Sequence, residues 1–99
     1  MPRKRLPRIS AVAAARAPFT LLIQWETGEE TLVDVSGTVD SFRIYAPLRR
    51  APGRFRKVRV GAEGTDVVWT TEIDMSADTL WRLAQEQSGA IMTAAAFHR

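Results

Sequence analysis

Apolar and polar residues alternate along three stretches of this chain, and a fourth stretch repeats at helical spacing. Phe19, Leu21, Ile23 and Trp25 alternate with Thr20, Leu22 and Gln24, the period of a strand that buries one face. Thr31, Val33 and Val35 repeat the pattern beyond Thr27-Gly28, so the two runs predict a hairpin. A two-residue loop at Thr27-Gly28 would set Glu26 against Glu29 and Leu21 against Asp34. A three-residue loop, Glu26-Thr27-Gly28 with a left-handed Gly28, pairs Leu21 with Val33 and Phe19 with Val35 instead. The second register keeps apolar partners on one face and separates the carboxylates, so it is the one expected.

The same logic predicts a second hairpin. Arg56–Val60 points Val58 and Val60 inward and Lys57 and Arg59 outward, and Gly61-Ala62-Glu63-Gly64 turns the chain back into Thr65–Trp69. A polar corner follows, where Asp74 and Ser76 offer side-chain oxygens to the free N–H groups of a helix beginning near Ser76. Asp78 adds negative charge in its first turn, and Leu80, Leu83 and Ala84 form an apolar stripe. That helix is expected to end near Gly89, leaving 90–99 as a tail.

Upstream, 1–8 with Pro2 and Pro7 reads as a flexible basic arm. Ile9–Ala15 suits a first strand, although its alanines equally suit a helix. Between the hairpins, Ser36-Gly37 breaks the strand and Thr38–Tyr45 has room for a short helical turn. Pro47–Gly53 is a turn-rich basic segment that Pro52 prevents from being one long helix. The expected fold is α+β: a small antiparallel sheet of two hairpins plus a short N-terminal strand, covered by one C-terminal helix, as a single domain over 9–89.

The order F-T-L-L-I-Q-W-E-T-G-E, V-D-V-S, A-P-L, R-F-R-K-V-R-V and V-V-W-T-T-E-I-D-M-S-A-D-T-L-W resembles the bacterial domain-of-unknown-function 2442 family. The resemblance covers roughly Ile9 to Leu83 and is sharpest at Trp69, Ile73-Asp74-Met75-Ser76 and Leu80, with Val33-Asp34-Val35 in support. Two turns depart from the family pattern. Thr27-Gly28 stands where Asp-Gly is usual, and Glu72 stands where a glycine precedes the Ile-Asp pair. The resemblance implies a small α+β domain with antiparallel strands and no established activity. Some relatives carry a downstream helix-turn-helix DNA-binding domain, for which 99 residues are expected to leave no room. Others stand alone, as partners of another small protein in toxin–antitoxin-like pairs.

Composition narrows the chemistry. Hydrophobic content of 45% and charged content of 25% are ordinary for a globular domain, and cysteine is absent. That removes disulfides, thiol catalysis and thiolate metal sites. The apolar run at Ala11–Ala15 is interrupted by Arg16 and Pro18, too soon for a signal peptide. No stretch approaches the ~20 apolar residues of a membrane span. A cytoplasmic, non-membrane protein is expected.

Charge is segregated beneath the net +3. Residues 1–16 hold Arg3, Lys4, Arg5, Arg8 and Arg16 without an acid, and 43–59 hold Arg43, Arg49, Arg50, Arg54, Arg56, Lys57 and Arg59 without one. All 11 acids lie elsewhere, which favours an anionic partner on one side of the molecule.

Catalysis has little to stand on. The single histidine, His98, lies next to the carboxyl terminus, and with no cysteine and one histidine a nucleophile–base pair or a nitrogen–sulfur metal site cannot be assembled within one chain. Asp34 and Asp74 are the conceivable carboxylate pair, but one is the polar alternate of a strand and the other belongs to the helix-start corner. Gly61–Gly64 carries an acid and is wrong for cradling phosphate. No enzyme activity, cofactor, metal or small-molecule substrate is expected. Trp25 and Trp69 fall on apolar runs and read as core. Trp81, at the edge of the helix stripe, and Tyr45 are the aromatics expected to face a partner.

The binding residues expected are therefore Arg49, Arg50, Arg54, Arg56 and Lys57, with Trp81 and Tyr45. Two functions compete for them. One is a non-catalytic module that engages a protein partner or a second copy, as in a toxin–antitoxin-like or regulatory pair. The other is weakly sequence-specific nucleic-acid binding through the basic loop and arm.

Overall fold

The computed structural model describes residues 8–97, with the side chains of Pro52 and of 88–97 outside that description. The expected arm at 1–8 lies almost wholly beyond the described residues, as does His98.

The chain forms β1 (Ile9–Ala14), β2 (Thr20–Trp25) and β3 (Glu30–Asp34), then a helical insert. The insert comprises α1 (Ser36–Ser41), a 3₁₀ turn (Arg43–Tyr45), α2 (Ala46–Arg50) and α3 (Pro52–Phe55). After it come β4 (Arg59–Val60), β5 (Asp66–Thr70), β6 (Ile73–Ser76) and α4 (Ala77–Phe97). The α+β class expected from the pattern holds, with every strand pairing antiparallel. The strands divide into two sheets, ordered β1-β2-β3 and β4-β5-β6, rather than joining in one.

The first hairpin has the apolar register. Leu21 pairs with Val33, and the Val35 N–H donates to the Phe19 carbonyl at 2.8 Å. Gly28 takes φ +97°, closing the three-residue loop. The N-terminal segment is a strand, Ile9–Ala14, because β2 offers it a partner along its whole length.

The second sheet differs from expectation in two places. Arg56 and Lys57 close α3 instead of opening a strand, since the Lys57 N–H donates to Arg54 O at 3.1 Å; β4 is reduced to Arg59–Val60. The supposed corner after Trp69 contains β6, which pairs Met75 with Val67 and Asp74 with Val68. Asp74 therefore does not cap the helix. Ser76 does so alone: its Oγ accepts the Thr79 N–H at 3.1 Å. Helix α4 also runs through Gly89 to Phe97, since one glycine costs a helix only ~1 kcal/mol and no proline follows to stop it.

The two sheets are joined where β1 meets the second hairpin. The Ile9 N–H donates to Gly64 O at 2.8 Å, and a Cβ at Gly64 would stand 2.9 Å from Ile9 O. Gly64 also has φ +74°, so this junction needs a glycine on both counts. Helix α4 covers the sheets with Ala77, Leu80 and Ala84 buried. At the free edge of β3, the Gln87 side chain accepts the Asp34 N–H and donates to the Asp34 carbonyl, both at 2.9 Å, standing in for a neighbouring strand.

The core gathers Leu21, Ile23, Trp25, Val33, Val39, Leu48, Val67 and Leu80 with Trp69. Trp69 is 5% exposed and its indole N–H donates to the Phe55 carbonyl at 2.9 Å. Trp69→Ala is expected to cost ~3–5 kcal/mol in chemical denaturation, because it removes a core ring and strands a buried acceptor. A loss below about 1 kcal/mol would contradict this placement.

Candidate functional interface

The basic stretch 43–59 covers most of the helical insert and its exit. The insert's helices have only four to six residues and no side-chain caps, so packing against the sheets holds them rather than intrinsic propensity. Pro47 and Pro52 sit in the first turns of α2 and α3, where a missing N–H costs nothing.

The expected site residues separate into two groups. Arg50, Arg54, Arg56 and Lys57 are exposed along α2, α3 and the following turn. Arg49 braces the insert instead. Its guanidinium Nη1 donates to Val39 O at 2.6 Å and to Phe42 O at 3.4 Å, supplying donors to carbonyls at the end of α1. Tyr45 corrects the expectation of a partner-facing aromatic. It is 7% exposed, and its hydroxyl donates to Asp74 O at 2.7 Å. Its ring packs inward against Trp69, 6.2 Å away and nearly perpendicular. Trp81 is half-buried, edge-on against Trp25 at 5.0 Å and 88°.

The exposed apolar residues of the insert are ones that strand periodicity does not single out. Phe42 is 57% exposed and Ile44 51%, flanking the exposed Arg43. Their signal in the sequence is a Phe-Arg-Ile triplet after a strand break, which reads equally well as core.

Two hollows lie beside α3. The first, about 340 Å³, is walled by Pro18, Phe19 and Phe55 with Arg16 and Arg56 in its lining. The second, about 200 Å³, has Leu48, Trp69 and Ile73 in its lining together with Arg54 and Lys57. Phe55 connects them, packing edge-on against Phe19 at 5.3 Å and tilted against Trp69 at 5.6 Å. Phe19 holds φ +48°, a left-handed conformation that costs a side-chain-bearing residue ~1–2 kcal/mol. A third hollow of about 420 Å³ adjoins Asp34 and Gln87, whose polar groups are already used within the fold.

The carboxylates do not form the Asp34–Asp74 pair that the sequence makes conceivable. Asp34 Oδ1 accepts the Ser36 N–H at 2.9 Å in a local turn. Asp74 instead faces Asp66 across β5 and β6. Burial raises the Asp66 carboxyl above its ordinary 3.8, and a hydrogen bond to Asp74 and the charge of Asp74 push it the same way. The Tyr45 hydroxyl is raised above 10.0 by burial and then by the Asp74 charge. A Cβ at Gly61 would overlap Asp66 Oδ1, so the glycine makes room for that carboxyl. Among the described residues, no three His, Asp or Glu side chains gather as metal ligands, and no helix is long and apolar enough to cross a membrane.

This fold, two antiparallel sheets with a helical insert between them in sequence and one long helix covering them, has counterparts. A family model described as "Protein of unknown function (DUF2442)" matches residues 10–86. The chain belongs to the DUF2442 family. Its fold is similar to the crystal structure of a "Putative DNA Binding Protein" from Nitrosomonas europaea ATCC 19718, with a TM-score of 0.75 and 32% identity. The match covers 90% of this chain and 56% of that one, so the chain spans little more than half of that relative. No curated protein matches. Membership fixes the fold and leaves the role of the insert to its own chemistry.

Arg49 and Asp66 each give a measurable consequence. Arg49→Ala is expected to destabilise the fold by about 1–3 kcal/mol through lost charge-assisted bonds, and Arg50→Ala by less than about 0.5, as compared in urea melts. For Asp66, a raised folded value means that the native state holds its proton more tightly than the unfolded chain. Stability should therefore fall as pH rises from the ordinary carboxylate range through the raised value. Asp66→Asn is expected to melt higher than wild type near pH ~7 and to match it near pH ~3. A constant difference across that range would refute the coupling.

Proposed function

We propose that this chain is a non-catalytic, cytoplasmic protein-interaction module that engages a protein partner, or a second copy of itself, through the helical insert. The observation that carries the reading is the pair Phe42 and Ile44, 57% and 51% exposed beside Arg43 at the head of the acid-free stretch 43–59. A large aromatic and an aliphatic side chain left in water next to arginine is the composition of interface hot spots. The guanidinium adds bidentate pairing with carboxylates.

Nucleic-acid binding is the second reading, favoured by the name of the Nitrosomonas europaea relative and by the exposed Arg50, Arg54, Arg56 and Lys57. It ranks below the first because the insert's helices have at most six residues, short for reading a groove. That relative's name also belongs to a chain of which only 56% is matched.

The test compares wild type with Phe42→Glu/Ile44→Glu. Each is immobilised and passed over a bacterial lysate, with retained proteins identified by mass spectrometry and self-association followed by sedimentation. Wild type is expected to retain a protein, or to dimerise, in a way that the double variant does not. In parallel, mixed-sequence DNA and RNA are titrated at about 50 and 200 mM salt. Binding that falls ~10³–10⁵-fold between them and ignores the double variant, with no protein retained, would favour the phosphate reading instead.

A further inference from the structure

The two hollows beside α3 share one design, an apolar wall with two basic side chains in the lining. Arg16 and Arg56 belong to the first and Arg54 and Lys57 to the second, and all four are exposed. Phe55 lines the first, where its ring meets Phe19, and it also packs against Trp69, which lines the second. The geometry points to a bipartite groove for an acidic protein segment carrying two apolar anchors, one for each hollow. This deepens the interaction reading above and rests on it.

The chemistry favours such a segment in three ways. At about 340 and 200 Å³ the two hollows are separate, and each has room for an apolar side chain. Burying an aromatic or aliphatic anchor against Phe19, Phe55 and Pro18, or against the Leu48, Trp69 and Ile73 surface, removes apolar area from water. Each hollow has two cations and no acid in its lining, so carboxylates flanking the anchors meet complementary charge. The same lining, apolar surface with two cations, occurs twice, and a chain with two anchors uses both copies.

Phe19 supplies independent support. It lies in the loop between β1 and β2, across which the Ala15 N–H donates to Thr20 O at 2.8 Å. Its position needs φ +48°, where glycine or asparagine would be less strained. The ring is retained in the strained position and forms the wall of the first hollow. Backbone strain of this kind gathers at ligand clamps and binding walls.

The probe is an acetylated, amidated peptide, Glu-Phe-Glu-Glu-Leu-Glu, titrated into the ¹⁵N-labelled full chain, with affinity measured by fluorescence anisotropy. Saturable shifts are expected at the Phe19 and Phe55 amides and at the Trp69 indole. Arg16→Glu/Arg56→Glu and Arg54→Glu/Lys57→Glu should each weaken binding by about tenfold or more, and Phe19→Asn should do the same while tolerating the left-handed backbone. The corresponding glutamine pairs and unchanged circular dichroism separate a binding loss from unfolding. Replacing both anchors by serine should abolish the shifts. Equal binding of that serine peptide, indifference to both charge reversals, or full reproduction of the shifts by phenylacetate or an oligothymidine would overturn the groove. Shifts confined to Phe42 and Ile44 would also overturn it while leaving the interaction reading intact. If neither Phe42→Glu/Ile44→Glu nor the charge reversals alter partner capture, the interaction reading itself fails.

Discussion

The bond from the Trp69 indole to the Phe55 carbonyl holds the helical insert of this molecule in place. Trp69 stands on β5 at the centre of the second sheet, and Phe55 ends the insert's last helix. A helix of four residues without a side-chain cap has no stability of its own, so it exists where something else satisfies it. Trp69 does so twice, by accepting the Phe55 ring against its face and by donating to its carbonyl. The Tyr45 hydroxyl on Asp74 O fixes the insert's earlier turn to β6 in the same manner. Phe55 then reaches Phe19 on the loop of the first sheet, so one aromatic chain runs from sheet to insert to sheet. The positions of the exposed arginines are consequences of that chain.

The elements legible in the sequence are those whose side chains alternate over five or six residues. The pairing of Leu21 with Val33 is decidable from pattern alone, because the other register faces Leu21 with an acid and turns the wrong face to the core. Strand β6 is hidden for a physical reason. Ile73-Asp74-Met75-Ser76 has the strand period, but it is only four residues long and two of them are helix-starting types. Ser76 does both jobs, ending the strand and capping α4, so the corner signal is real and shorter than the sequence suggests. The sheet's division in two rests on contacts that periodicity does not carry, chiefly Ile9 on Gly64.

At the interface, charge is legible and geometry is not. An acid-free stretch of seven basic residues announces itself, but nothing in it tells Arg49 from Arg50. The distinction appears only when α1 ends beside Arg49 and its carbonyls need donors. Tyr45 and Phe42 reverse the expected roles for a similar reason. The phenol can bury its ring because Asp74 O satisfies its hydroxyl, whereas Phe42 lies where the chain leaves α1 in extended conformation, and its ring stays in water. Arg16 belongs by sequence with the basic amino-terminal residues, yet the fold brings it to the same hollow as Arg56.

These placements explain why the molecule is two-sided. Several of its acids serve the fold, and none lies between 43 and 59. Asp34 turns the chain into α1, Asp66 and Asp74 share a corner of the second sheet, and Asp78 supports the start of α4. Arg49 differs from its basic neighbours in that its bonds brace the insert itself. Arg54 and Lys57 share one turn and one hollow, so two like charges are held on the same small patch. A fold gains nothing from that arrangement in isolation. On the proposed interaction reading it becomes favourable when an anionic chain lies across it, and the apolar walls under the arginines select one that carries apolar anchors. Phosphate alone would leave those walls wet, whereas an acidic segment with apolar anchors uses both the charge and the surface beneath it.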